Sequence, residues 1–437
     1  MRSILLANGQ LVVGEAIRDQ DLLIEDGKIA AFLDRGAVVP EGVEVFDCSG
    51  KMIIPGAIDV HVHFREPGQS YKEDWITGSS AAVAGGVTTV FDMPNNKPPI
   101  FTCADLEEKR KLVGGRTYAN YGLYIGFNGR NHEEVNKAQN IPAVKFYACD
   151  STGDLGVEEG VEELFEGCNK LIVVHSEDGD IIEANAKKYL EGRDESELTP
   201  DLHSKIRSAE AAIVMTRKLC ELAKKYNHRL HIAHLSTAGE LKVLDEYQGS
   251  PITCEVSPHH LIFSEDDYAD LGSRIRMNPP VRSREDVFAL WKGLKFGDVD
   301  IVATDHAPHT IEEKAESYRK VPSGVPGVEH MLPILLNTVN MEGLTIHEVV
   351  KLCAEKPAEI FGVKNKGRLE VGYDADVVVV DMELEKTVDK GFSKCGWNPY
   401  EGMMFKGWPV KTFVNGVLVF DEGKICGEKA GREVAFL

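Results

Sequence analysis

The chain has 437 residues, 43% of them hydrophobic and 27% charged, with a formal net charge of −21 at pH 7. This length exceeds one small domain and accommodates a barrel of about 250 residues together with a second module. The acidic balance argues against non-specific binding to nucleic acid or anionic membranes, and an anionic small-molecule substrate would need positive charge concentrated inside its site.

The stretch MRSILLANGQLVVG holds an apolar run too short and too soon interrupted for a signal peptide. Residues 2 to 54 alternate short apolar runs with Asn-Gly and Asp-Gly pairs, a hairpin texture. From residue 55 the pattern changes. Strands are predicted at 57–62, 87–93, 121–125, 143–147, 171–175, 230–234, 252–256 and 300–304, with helical patterns between them, for example 208–226 and 285–294. Eight strands, each followed by a helix-like segment, is the count of a (β/α)₈ TIM barrel. Residues 364–437 return to the hairpin texture in GRLEVGYDADVVVVDM and WPVKTFVNGVLVFDEGKI. The predicted fold is therefore α/β: a barrel over 55–363 and a small β-sandwich domain formed from both termini, 1–54 and 364–437. Nine dispersed cysteines without a C-x-x-C pair read as reduced thiols of a cytoplasmic protein. No apolar run approaches the roughly 18 residues of a membrane span.

Chemistry-bearing residues gather at the ends of the predicted strands. The first ends in His61-Val-His63, and residues two apart on a strand face one side. The fourth carries Lys145, the fifth ends in His175, the sixth in His234, and the eighth in Asp305. Barrel enzymes place their chemistry on this C-terminal rim, where side chains from several strands converge. Four histidines and an aspartate form a ligand set suited to Zn²⁺. Lys145 is the unusual member. An ammonium at an apolar strand end near cations is destabilised, and the neutral amine can react with CO₂ to give a carbamate whose two oxygens bridge two metals. Two other readings stand beside it: Lys145 paired with Asp150 or Asp154, or Asp150 itself as the bridge.

At these residues the sequence resembles the amidohydrolase superfamily, its cyclic-amidase branch, and most closely the dihydroorotase family. The stretches PGAIDVHVHFREPG (55–68), DMPNNKPP (92–99), VKFYACDSTGD (144–154), VVHSED (173–178), HIAHLST (231–237), SPHH (257–260), RMNPPVR (276–282) and ATDHAPH (303–309) carry the resemblance in family order. It implies two zinc ions per subunit. His61 and His63 would hold the more buried one with Asp305, and His175 and His234 the other. Carboxylated Lys145 and a hydroxide would bridge them. In HIAHLST the ligand position is His234; His231, three residues earlier on a strand, is expected to face the other way. Arg65 and Asn95 match residues for a substrate carboxylate, Asn278 and His309 match further substrate contacts, and SGVPGVEHMLP (323–333) resembles the loop flanking the substrate ring.

The activity implied is the reversible cyclisation of N-carbamoyl-L-aspartate to L-dihydroorotate plus water, a step of pyrimidine biosynthesis. Metal lowers the pKa of bound water toward about 7, the hydroxide attacks the ring amide carbon, and Asp305 carries the proton to the leaving nitrogen. Arg65 answers the charge question, because one guanidinium binds a carboxylate through two parallel hydrogen bonds; its other reading is a salt bridge to Glu66 or Glu73. His259 and His260 either orient a ligand or fill the rim, His306 reads as a support beside Asp305, and the run from Glu312 to Glu316 reads as a solvated helix face at the site mouth. Allantoinase and hydantoinase or dihydropyrimidinase are the competing activities, and the arginine of F-R-E-P-G separates them. A non-catalytic scaffold is a third reading, but all six expected ligand positions hold competent residues. The family resemblance also implies a homodimer or homotetramer.

Overall fold

The computed structural model describes residues 3–38, 41–150, 155–157 and 159–437. Eight parallel strands form the barrel in chain order: Ala57–Val62, Val87–Asp92, a third split into Asn120–Leu123 and Ile125–Gly126, then Val144–Tyr147, Ile172–His175, Leu230–Leu235, Ile252–Val256 and Ile301–Val302. A bridge between Val62 and His306 brings the first strand beside the end of the eighth. The eighth is shorter than predicted because its flanks bond elsewhere: Asp300 accepts from the N–H of Cys254 at 2.8 Å, and the N–H of Thr304 goes to Asp59 at 3.0 Å.

Helices shield the outer barrel face. Ser208 caps the helix Ala209–Tyr226 and Ser283 caps Arg284–Phe296, each side chain accepting an N–H of the first turn. Val144, Phe146, Ile172, Val174, Leu230 and Ile232 pack outward against this ring, whereas Ile58, Val60, Val173 and Ala233 join Phe361 in a second, inner cluster. Strands buried on both faces read as continuous apolar runs, which is why they were legible.

The β domain stacks two sheets. One contains Lys28–Asp34, Gln20–Glu25, Ser3–Ala7 and Glu44–Asp47; the other runs from Lys424–Ile425 through Val417–Asp421, Met404–Val414, Val377–Thr387, Met52–Pro55 and Gln10–Val13 to Ala16–Arg18. The second sheet thus joins both ends of the chain. Val377 and Val379 face the sandwich core, while Val378 and Val380 join the cluster against the barrel helices. The last residues return to the barrel: Val434 lies in the inner cluster, and Phe436 packs edge-on to Phe91. All nine cysteines are free, and no helix among the described residues is long and apolar enough to cross a membrane.

Candidate metal centre

Asp59, fully buried in the first strand, accepts from the N–H of His61 (3.2 Å) and from both the N–H and hydroxyl of Thr304. It therefore pins together the strand ends that carry His61 and Asp305. Burial raises the Asp59 pKa to about 7, against the pull of Thr304 and His61. His61 Nδ1 is 2.5 Å from Glu255 Oε1, and His63 Nδ1 is 2.6 Å from Asn95 Oδ1. Each contact places the ring proton on Nδ1 and leaves the Nε2 lone pair facing the barrel mouth. There the two Nε2 atoms stand 3.3 and 3.0 Å from the same oxygen, Asp305 Oδ1.

The second pair is built likewise. Glu177 Oε2 lies 2.8 Å from His175 Nε2 and takes two hydrogen bonds from the buried Arg207. His175 Nδ1 is thereby left 3.1 Å from His234 Nε2, and His234 Nδ1 is buried without a partner among the described residues. Burial drives the pKa of His175, His234 and His63 down, the last to about 4, so the rings are neutral ligand donors.

His231 does not face away. The register of the sixth strand shifts between Ile232 and Leu235, and His234 adopts a left-handed φ of 38°. This irregularity breaks the two-residue alternation. His231 is level with Lys145 and Val173 in the ladder, and its Nε2 bonds to Glu255 Oε2 at 3.1 Å, below His61.

Lys145 Nζ is fully buried and has no hydrogen-bond partner among the described residues; the Tyr147 ring lies 5.2 Å away. Burial lowers its pKa to about 8, against the opposing pull of Glu255 and Asp305. The salt-bridge and bridging readings of Asp150 fail, because Asp150 is exposed and its Oδ1 accepts from the N–H of Gly156 at 2.7 Å. Asp154 lies outside the described residues.

This donor set fits metal. With their protons committed to Glu255 and Asn95, His61 and His63 turn lone pairs toward an oxygen that also only accepts, an arrangement that a cation satisfies. Donors around a tetrahedral zinc at about 2.0–2.1 Å are about 3.3 Å apart, close to the separations here. His61, His234 and Asp305 offer donor atoms within 4.8 Å of one another, which ties the two pairs into one centre.

At the rim, Arg65 is buried with φ 61°, and its Nε donates to Pro308 O at 3.1 Å. Neither acidic neighbour pairs with it: Glu66 binds Arg116 at 3.0 Å, and Glu73 binds Thr77 and Ser393. No carboxylate among the described residues comes within ion-pair distance of Arg65. Its Nη2 is 3.2 Å from His309 Nε2. Lys72 donates to His309 Nδ1 (3.0 Å), so the proton is on Nε2, which also reaches Ser323 O at 3.0 Å. Two donors thus lie side by side. Asn95 Oδ1 accepts from His63 Nδ1, and Asn278 Oδ1 lies 2.9 Å from Nε2 of the buried His203.

His306 Nδ1 accepts from the N–H groups of Gly327 and Val328 at 3.0 and 3.3 Å and braces the following loop. His260 Nε2 bonds Pro279 O at 3.0 Å, while both ring nitrogens of His259 are buried without partners among the described residues. The run from Glu312 to Glu316 is not wholly a solvated face. Lys314 is buried and donates to the carbonyls of Arg276, Pro322 and Gly324, at 2.9 to 3.1 Å. Sequence reasoning missed Glu255, Glu177, Arg207 and His203. The only signal for Glu255 was a charged residue inside the apolar run of the seventh strand.

Fold and site together define a metal-dependent barrel enzyme. Residues 52–419 match the Amidohydrolase family. A dihydroorotase of Methanosarcina acetivorans is 35% identical over 99% of this chain and 95% of its own length, and one of Pyrococcus furiosus is 37% identical over 94% and 91%. Among solved structures, an L-hydantoinase (dihydropyrimidinase) from Arthrobacter aurescens superposes with a TM-score of 0.93 at 30% identity, covering 100% of both chains. A dihydropyrimidinase from Brevibacillus agri gives 0.92 at 25% identity, over 99% and 98%. The chain belongs to the amidohydrolase family, and within it to the group of the dihydroorotases.

Proposed function

We propose that the enzyme interconverts N-carbamoyl-L-aspartate and L-dihydroorotate at two zinc ions, one held by His61, His63 and Asp305 and the other by His175 and His234, with carboxylated Lys145 between them. The observation that carries the substrate is Arg65, a buried guanidinium beside the centre with no carboxylate of the described residues within ion-pair distance. A buried charge without a counter-ion is costly, and the substrate's carboxylate supplies one. Arg65 Nη2, 3.2 Å from His309 Nε2, presents the donor to it.

Bound zinc would supply Lewis acidity and acidify water at the site. The protein's groups do the rest. Asp305, ionised and buried, takes the proton of the attacking water and delivers it to the ring nitrogen as the amide bond breaks; ring closure runs the same path backward. Glu255, Asn95 and Glu177 hold the imidazoles in the tautomers that leave ligand lone pairs free. The Lys145 amine bonds to the carbon of CO₂ and releases one proton, becoming an anion among the four histidines.

The hydantoinase and dihydropyrimidinase neighbours support a second reading, hydrolysis of neutral cyclic amides. Steady-state turnover of dihydroorotate beside hydantoin, 5,6-dihydrouracil and allantoin separates the two. Preference for dihydroorotate is expected; turnover of a neutral ring with none of dihydroorotate would overturn the assignment.

A further inference from the structure

The helix Cys103–Val113 is rich in charged residues, yet it buries Leu106, Lys109 and Val113. Offsets of three and seven place these on one helix face, the face turned to the core. Lys109 is only 2% exposed. A lysine there is unfavourable unless its charge is paired and its donors are used. Its Nζ stands 2.5 Å from Asp92 Oδ2, 2.6 Å from Asn96 Oδ1 and 3.2 Å from Met93 O. None of these groups is a candidate metal ligand.

The two side-chain partners of Lys109 lead to one place. Asp92 Oδ1 accepts the N–H of Phe64 at 2.7 Å, and Asn96 Nδ2 donates to the carbonyl of Glu66 at 3.1 Å. The backbone is thus gripped on both sides of Arg65, whose φ of 61° is rarely adopted by residues other than glycine. The two loops also meet directly: Lys97 N bonds Pro67 O at 3.3 Å, and a Cβ on Gly68 would come within 2.1 Å of Lys97 O. A backbone in an unfavourable conformation keeps it only where its surroundings over-determine it.

We propose that Lys109 is a positioning residue for recognition of the substrate carboxylate: through Asp92 and Asn96 it fixes the peptide groups flanking Arg65 and so aims the guanidinium. This rests on the assignment of Arg65 above and extends it to a residue one layer behind the rim. An apolar residue at 109 would fill the space but leave Asp92 unpaired and Asn96 unheld, and the turn at Arg65 would lose its anchor.

The test is a mutant cycle on the zinc-loaded enzyme, comparing Lys109→Met, Asn96→Ala, Arg65→Met and each of the first two combined with Arg65→Met. Lys109→Met and Asn96→Ala are each expected to raise KM for dihydroorotate about tenfold, with kcat within about threefold and zinc content unchanged. Added to Arg65→Met, neither should raise KM further, because the group they aim is already gone. A further multiplication of KM in the Arg65→Met background, or a fall in kcat with KM unchanged, would overturn the proposal. Asn96→Ala leaves the Lys109–Asp92 ion pair intact and gives the same readout should Lys109→Met fail to fold. An unchanged KM in Arg65→Met alone would remove the carboxylate clamp, and the proposal with it.

Discussion

Glu255 Oε1 lies 2.5 Å from His61 Nδ1, and the other oxygen of the same carboxylate binds His231 Nε2 at 3.1 Å. Burial opposes its charge, but the two imidazoles outweigh that and keep it ionised. Glu255 therefore decides which nitrogen of His61 would be offered to a metal. In Glu255→Gln one imidazole loses its acceptor, and zinc affinity is expected to fall about 10–100-fold. Competition against a chelator of known affinity measures this, and wild-type affinity in the variant would deny Glu255 the role.

Asp305 is the proton carrier of the proposed reaction, held in the left-handed backbone region at φ 47°. Asp305→Ala is expected to lower kcat by at least about 10³-fold, with circular dichroism and the thermal transition close to wild type. Retained turnover would move the acid–base role to another group, with His259, whose ring nitrogens have no partner among the described residues, first in line.

Lys145 should need CO₂. Metal-free protein, dialysed into CO₂-depleted buffer and given zinc, is expected to stay largely inactive until bicarbonate is added. A ¹³C label supplied as bicarbonate should give a carbamate resonance that is missing in Lys145→Met. Full recovery without CO₂ would show that the amine serves unmodified.

Glu329 is partly buried, and burial raises its pKa to about 7, with Asp389 and Glu73 adding to the rise and the N–H of Phe392 opposing it. A carboxyl with a raised folded-state pKa contributes its full stability below its unfolded value and loses it as pH rises through about 7. Glu329→Gln stays neutral throughout. Allowing for residual solvent, the variant should gain about 1–2 kcal/mol over wild type at pH 8 and little at pH 4.5. Denaturant titrations at the two pH values test this; a gap independent of pH would contradict it.

The strands and the candidate ligands at their ends were legible for one reason. In a barrel wrapped by helices, an apolar run that ends in His61, His63, His175, His234 or Asp305 announces where the core stops and the chemistry begins. Arg65 stood out because it follows the first pair by two residues. His231 was misjudged because strict alternation was assumed where the strand is irregular, and Lys314 because a charged run normally faces water.

Sequence alone determined the layered fold, the rim on which the candidate ligands lie and the residue types that meet there, since these follow from local patterns of burial along one strand or helix. The tertiary structure decided which carboxylates set the tautomers of His61 and His175, which lysine at the centre has no partner among the described residues and which is buried behind Arg65. Those outcomes depend on groups far apart in the chain being brought within hydrogen-bond distance in a buried space, where a polar atom left without a partner is costly.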